Sequence, residues 1–278
     1  MDALKSLLDS LDWPQYPTAP GAQAAFAAAA VAILIGLFML LFPTSAGKVL
    51  CLQSRETRPG AIGELRASGG FLLGLAVAAL MFDQPPFYTA LGLAFAVAAF
   101  GRVISLMSDR SATMVNILLF LVQIFLAGAL FYYFFDVFTP EMDFGLPTEL
   151  KSQLAFYTYV AIAVIGVVLM FAPRISSYVI GIDGTTVAGL TSIRSAGGFA
   201  LGASVLGIML VGSPHARDAP FEKMLYINLA FAVALAFAVI GRLIALAFNR
   251  GNYIHAILAL LIEAAAAGII FAYVASLM

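Results

Sequence analysis

Apolar residues fill this chain in eight long stretches, roughly 23–42, 65–82, 87–108, 113–135, 152–171, 193–212, 224–248 and 253–277, separated by short polar segments. A helix rising about 1.5 Å per residue needs about 20 residues to cross a bilayer core, and each stretch is close to that length. Short aromatic-rich segments alternating with period two, the mark of an outer-membrane barrel, are absent. The pattern therefore predicts an all-α membrane protein of eight transmembrane helices. Ahead of the first span, Leu4, Leu7, Leu8 and Leu11 recur at helical spacing between Asp2, Lys5, Asp9 and Asp12, with Trp13 closing the run. That predicts a short N-terminal amphipathic helix at the interface, packed on the membrane surface, on the bundle or on a partner subunit. It lacks the basic segment followed by an apolar core that a signal peptide requires.

The polar signatures inside the apolar stretches occur twice. Arg66-Ala-Ser-Gly-Gly70-Phe71 with Gly101-Arg102 in the first half answers Arg194-Ser-Ala-Gly-Gly198-Phe199 with Gly241-Arg242 in the second. The pairing extends through Leu73, Gly74 and Val77 against Leu201, Gly202 and Val205, and through Ile117, Leu118 and Gly128 against Ile257, Leu258 and Gly268. Residues 137–150, rich in proline, glycine and acids, read as a linker. The expected organisation is an interfacial helix and linker over 1–22, a four-helix repeat over 23–136, the linker, and a second four-helix repeat over 151–278. Four helices per repeat is an even number, so the repeats run parallel, related by a pseudo-two-fold along the membrane normal, unlike inverted transporter repeats. The second repeat carries a longer loop before its third helix, Gly212 to Pro220, which serves as a partner contact or as a spacer.

Composition narrows the function classes. The chain is 63% hydrophobic and 10% charged with a formal net charge of −1, and no Lys/Arg cluster suited to nucleic-acid phosphates appears. One cysteine, Cys51, excludes an internal disulfide framework, and His215 and His255 lack neighbours at metal-ligand spacing. No cofactor, metal or nucleic acid is expected. No nucleophile elbow or phosphate loop is present to support covalent catalysis. Basic residues concentrate in the loops after spans 1, 3, 5 and 7, which by the positive-inside rule face the cytoplasm of a bacterial inner membrane and leave both termini on the periplasmic side.

The candidate chemistry lies in the charged residues within or beside the spans. Arg102 and Arg242 lie about six residues inside their helix ends, where an arginine is costly in hydrocarbon. Arg66 and Arg194 are expected to begin their helices and reach headgroups by snorkelling. Two readings follow: anchors at the cytoplasmic interface, or a shared anion or headgroup site, since forked guanidiniums suit phosphate and carboxylate. Gly69, Gly70 and Gly74, with Gly197, Gly198 and Gly202, are expected to pack helices tightly inside each four-helix unit. Two carboxylates break the repeat, because Glu64 is answered by Ser192 and Glu263 by Gln123. Glu263, about ten residues into the last helix, needs a partner or a proton, and Arg242 on the preceding helix is the natural partner. Glu64 and Arg66, two apart, point in different directions. His255 and Asn116 are expected in hydrogen bonds near the cytoplasmic rim.

On Glu64-Leu65-Arg66 through Gly70, with Gly101-Arg102, the chain resembles a bacterial membrane family catalogued as domain of unknown function 4345, here as two copies. The resemblance implies four-helix units and brings no established activity; Ser192 departs from the family's glutamate in the second copy. The favoured reading is an accessory or scaffold subunit of a larger membrane complex that binds lipid or another lipophile, with membrane lipids and other membrane subunits or self-association as partners. The alternatives are a lipid or sterol-like isomerase or modifying enzyme using Glu263 or Glu64 beside the arginines, and a transporter of a small amphiphile.

Overall fold

A computed structural model describes residues 16–52, 60–83, 85–109, 111–137, 145–183, 186–211, 221–248 and 253–277. Among them the chain is all helix in ten elements, eight of which are long and apolar enough to span a membrane. The long helices are α1 (Pro20–Leu41), α3 (Ala61–Phe82), α4 (Pro85–Ser108), α5 (Met114–Val137), α6 (Leu150–Phe171), α8 (Val187–Val211), α9 (Phe221–Phe248) and α10 (Tyr253–Leu277). The protein is a multi-pass membrane protein. The N-terminal amphipathic segment, the middle of the linker and the loop after α8 lie outside the described residues.

The expected first and fifth spans are each followed by a short helix that sequence reading leaves as loop: α2 (Pro43–Val49) and α7 (Pro173–Ile180). The cause is local. Phe42 and Ala172 precede prolines, which push them out of the helical region, and they adopt nearly the same backbone, φ −120 ψ 53 and φ −121 ψ 53. Each proline then opens a new helix at the position where its missing N–H costs nothing. After α2 the chain turns through Cys51 at φ 54, and after α7 through Gly181 at φ 73, the left-handed backbone that suits glycine.

Helices α3 and α8 start earlier than the apolar pattern predicts. Arg66 and Arg194 therefore do not begin their helices but lie within them, and Arg194 is buried. This corrects the expectation that both begin their helices, and Arg194 is a buried, paired group and not a free anchor.

Packing joins the two halves. Helix α3 packs chiefly on α9 and on α1, and α4 chiefly on α8 and on α5; α8 also packs on α6, and α9 on α10. Lighter contacts of α1 with α5 and of α6 with α10 complete a circuit of eight. More than half of each spanning window of α3, α4, α8 and α9 is buried, against a third or less in α1, α5, α6 and α10. The four inner helices contribute one aromatic cluster, in which Phe71 meets Phe199 and Phe231 edge-on and Phe95 meets Phe199.

Glycines permit these approaches. A Cβ at Gly70 would collide with the Phe237 carbonyl, and one at Gly74 would stand 2.7 Å from Ala234 Cα, both across the α3–α9 contact. Gly198 and Gly202 face Val97 and Leu93 across α8–α4 in the same manner. Gly69 faces Gly36 of α1, and Gly197 faces Gly166 of α6. The expectation of packing inside each unit thus holds for Gly69 and Gly197, whereas Gly70, Gly74, Gly198 and Gly202 join one half to the other. Periodicity marks a helix face, but it does not say whose backbone meets it.

Candidate functional site

The ends of α1, α4, α6 and α9 and the starts of α3, α5, α8 and α10 define one side of the bundle, and all four sequence-predicted arginines lie toward it. The backbone ties this side together across the halves: Gly60 N–H donates to Gly181 O at 3.1 Å, and the Ser192 hydroxyl donates to Leu50 O at 2.7 Å.

Arg242, on α9 immediately after Gly241, is the centre of one site. Gly241 lets α9 lie against the Arg66 backbone of α3, which brings the base of the guanidinium stem between α3 and α10. Arg242 Nε and Nη2 donate to the two oxygens of Glu263 at 2.8 and 2.6 Å. Nη1 and Nη2 donate to the two oxygens of Glu64 at 2.8 and 3.2 Å. One guanidinium is therefore gripped by two carboxylates, each through both oxygens, the geometry that gives charge-assisted hydrogen bonds their strength. The arginine side chain is 4% exposed, while Glu64 and Glu263 keep 30% and 21% of theirs. The expected partnership of Glu263 with Arg242 is present. The second acid, Glu64, comes from 178 residues away in sequence and was not foreseen as a partner, because only the contact between α3 and α9 brings it there.

The residues answering these in the other half form a different site. Gly101 lets α4 approach the backbone of Arg194, and Arg102 follows, 2% exposed. Its Nε donates to Gln123 Oε1 at 2.9 Å and its Nη1 to Asn116 Oδ1 at 3.3 Å, so neutral amides stand where Arg242 has carboxylates. Gln123 Nε2 passes a bond to Ser195 Oγ at 2.8 Å, and Asn116 Nδ2 donates to Ser111 O at 2.9 Å. Asn116, in the first turn of α5, makes the expected hydrogen bonds and is buried within this network. His255, in the first turn of α10, is exposed.

Arg194 connects three helices. Its Nε and Nη2 donate to the Asp109 carboxylate at 2.9 and 3.3 Å, and its Nη1 donates to Met170 O at 2.7 Å. Burial opposes charge on Asp109, but the hydrogen bonds from Arg194 and Ser105 outweigh it and hold the carboxyl below the usual range. Ser105 also shares a 2.7 Å bond with Thr191 of α8. Asp109, Ser105, Thr191 and Ser195 were not read as site residues. A signal exists in the chain, since Arg102, Ser105 and Asp109 stand at i, i+3 and i+7 on one face of α4.

Arg66 holds on α3 the position that Arg194 holds on α8. Its Nε is buried and has no hydrogen-bond partner among the described residues. Four arginines thus face three carboxylates here, and the carboxylates are spent on Arg194 and Arg242. Among the described residues no group of three His, Cys, Asp or Glu side chains is arranged to hold a metal ion.

The family model described as a domain of unknown function (DUF4345) matches residues 23–134. That stretch spans α1 to most of α5, and it is what this part of the chain is similar to. Comparisons with curated proteins and with solved structures gave no match.

Proposed function

We propose that this chain is a non-catalytic integral membrane protein, two copies of one four-helix unit in tandem in a bacterial inner membrane, that binds an anionic amphiphile and serves as an accessory or scaffold subunit. The observation that carries the reading is the contrast between Arg194 and Arg66. At one position the chain supplies its own anion, Asp109, and a carbonyl; at the matching position the guanidinium Nε is enclosed without a partner among the described residues. A buried donor left unmade is costly, and a lipid phosphate or carboxylate arriving from the headgroup layer satisfies it with charge-assisted bonds.

The same geometry weighs against an enzyme. Glu64 and Glu263, the acids within the bundle with proton-transfer chemistry, both turn their oxygens onto Arg242. A scaffold role has support in α5 and α10, which expose most of their length; a Cβ added at Gly128 or Gly268 meets nothing within 4 Å, leaving room for a helix of another subunit.

The test is lipid retention by the full chain. Purified in mild detergent and analysed by native mass spectrometry after incubation with phosphatidylglycerol or phosphatidylcholine, the wild type should keep at least one anionic lipid. Arg66→Gln should lose it, while Arg194→Gln should retain it. Equal retention by wild type and Arg66→Gln defeats the reading.

A further inference from the structure

The two guanidiniums that follow Gly101 and Gly241 correspond in the repeat, but among the described residues only Arg242 meets an anion. Arg242 is held by the carboxylates of Glu263 and Glu64, each through both oxygens. At Arg102 the residue answering Glu263 is Gln123, whose Oε1 accepts from Nε at 2.9 Å as a neutral amide. The residue answering Glu64 is Ser192, a shorter side chain whose hydroxyl donates instead to Leu50 O at 2.7 Å. Asn116 Oδ1 accepts from Arg102 Nη1 at 3.3 Å, a looser bond than the 2.8 Å from Arg242 Nη1 to Glu64.

Arg102 is nevertheless 2% exposed, as is Asn116 beside it. A guanidinium carries five N–H donors, and among the described residues Arg102 uses only Nε and Nη1. Its Nη2, which in Arg242 donates to both acids, donates to none of them. The carboxylate that this network reaches is Asp109, through Ser105 Oγ at 2.8 Å, and Arg194 already engages both of its oxygens. Two arginines therefore share one acid, and a positive charge is left enclosed. A buried charge without its counter-charge is strongly destabilising, and unmade donors add to the cost.

We propose that Arg102 binds a small monovalent anion, a halide or a short carboxylate, on the Nη edge that Glu64 covers in Arg242. The ligand takes charge-assisted bonds from Nη2 and from the remaining proton of Nη1. Ser195 Oγ, which accepts from Gln123 Nε2 at 2.8 Å, keeps its own proton to give. The near-complete enclosure of Arg102 and Asn116 selects a small ion over a lipid headgroup. Asn116, Thr191, Ser105 and Asp109 make a polar route from the guanidinium to the end of α4, where the Asp109 side chain is 13% exposed. One repeat thus supplies its anions from its own chain, and the other recruits one.

The experiment is chlorine nuclear magnetic resonance of the full chain in non-ionic detergent and chloride-free sulfate buffer, to which sodium chloride is added. The wild type should broaden the chloride line saturably, and sodium formate should remove the broadening by competition. Gln123→Glu places on Arg102 the carboxylate that Glu263 places on Arg242, and should weaken chloride binding about tenfold or more. Ser192→Glu supplies the same charge from α8, with the same loss expected; size-exclusion elution checks that each variant folds. Glu263→Gln, which leaves Glu64 on Arg242, should bind chloride as the wild type does. Absence of saturable broadening in the wild type overturns the proposal, as does broadening that formate leaves undiminished. Equal broadening in the wild type and in either folded glutamate variant overturns it too. Phosphatidylglycerol should leave the line unchanged; displacement of chloride by this lipid overturns the small-ion assignment. None of these readouts depends on lipid retention at Arg66.

Discussion

Replacing Gly70 by alanine would drive a methyl group into the backbone of α9. The Cβ falls on the Phe237 carbonyl, 2.7 Å from its carbon and 3.1 Å from Ala238 N, so the obstacle is main chain and cannot rotate aside. Relief requires α3 and α9 to separate by roughly half an ångström or more along a tightly packed contact, and overpacking of this kind costs about 1–3 kcal/mol. Backbone against backbone belongs at the upper end of that range. Alanine recovers up to about 1 kcal/mol through its helix propensity, leaving a net loss of about 2 kcal/mol. Gly268→Ala is the control: on α10 its Cβ meets nothing within 4 Å, so it keeps only the propensity gain. The two variants should differ by about 3 kcal/mol in reversible unfolding of the detergent-solubilised protein by sodium dodecyl sulfate. Gly198→Ala, which meets Val97 across α8 and α4, should match Gly70→Ala, and the double variant should lose the sum because the contacts are separate. Equal stability of Gly70→Ala and Gly268→Ala would refute the argument that these glycines join the halves.

Further expectations come from the same contacts. Residues 1–144 and 145–278 expressed together as two chains should co-purify through a tag on either, since α3 meets α9 and α4 meets α8; recovery of one fragment alone, folded, contradicts this. Cys51→Gly should stabilise the protein by about 1 kcal/mol, because Cys51 holds a left-handed backbone at the position where Gly181 stands after α7; an unchanged melting temperature rejects it. Asp109→Asn should lower stability at neutral pH by about 2 kcal/mol by weakening the bonds from Arg194. The native carboxyl titrates below its unfolded value, so its contribution is present above about pH 4 and is lost as pH falls through the native value. The wild type should therefore lose stability on acidification and Asp109→Asn should lose less; parallel acid limbs in the two proteins sink the assignment.

The eight spans were legible because length and hydropathy are properties of each segment alone. Glu263 was legible as a partner of Arg242 because an acid deep in an apolar run must be compensated, and the preceding helix held the obvious cation. Glu64 was not, since nothing in α3 says that α9 lies beside it. The same gap explains the glycines: Gly70 and Gly69 are adjacent in sequence, yet one faces α9 and the other α1. Asp109 stands at the end of α4, where acids usually face water, so nothing in the sequence around it points to Arg194. The short helices α2 and α7 were hidden in segments read as loops, although Pro43 and Pro173 mark where each begins.

The inner pairing of α3 with α9 also sets a schedule for synthesis. About 170 residues separate Gly70 from Phe237 along the chain. At about 5–20 residues per second, α3 emerges on the order of ten to thirty seconds before the helix that will cover its glycine face. During that interval the first four helices are in the bilayer with their bare backbones and Glu64 turned to whatever is at hand. The nascent protein therefore needs a temporary companion, lipid or insertion machinery, that is displaced when the second half arrives.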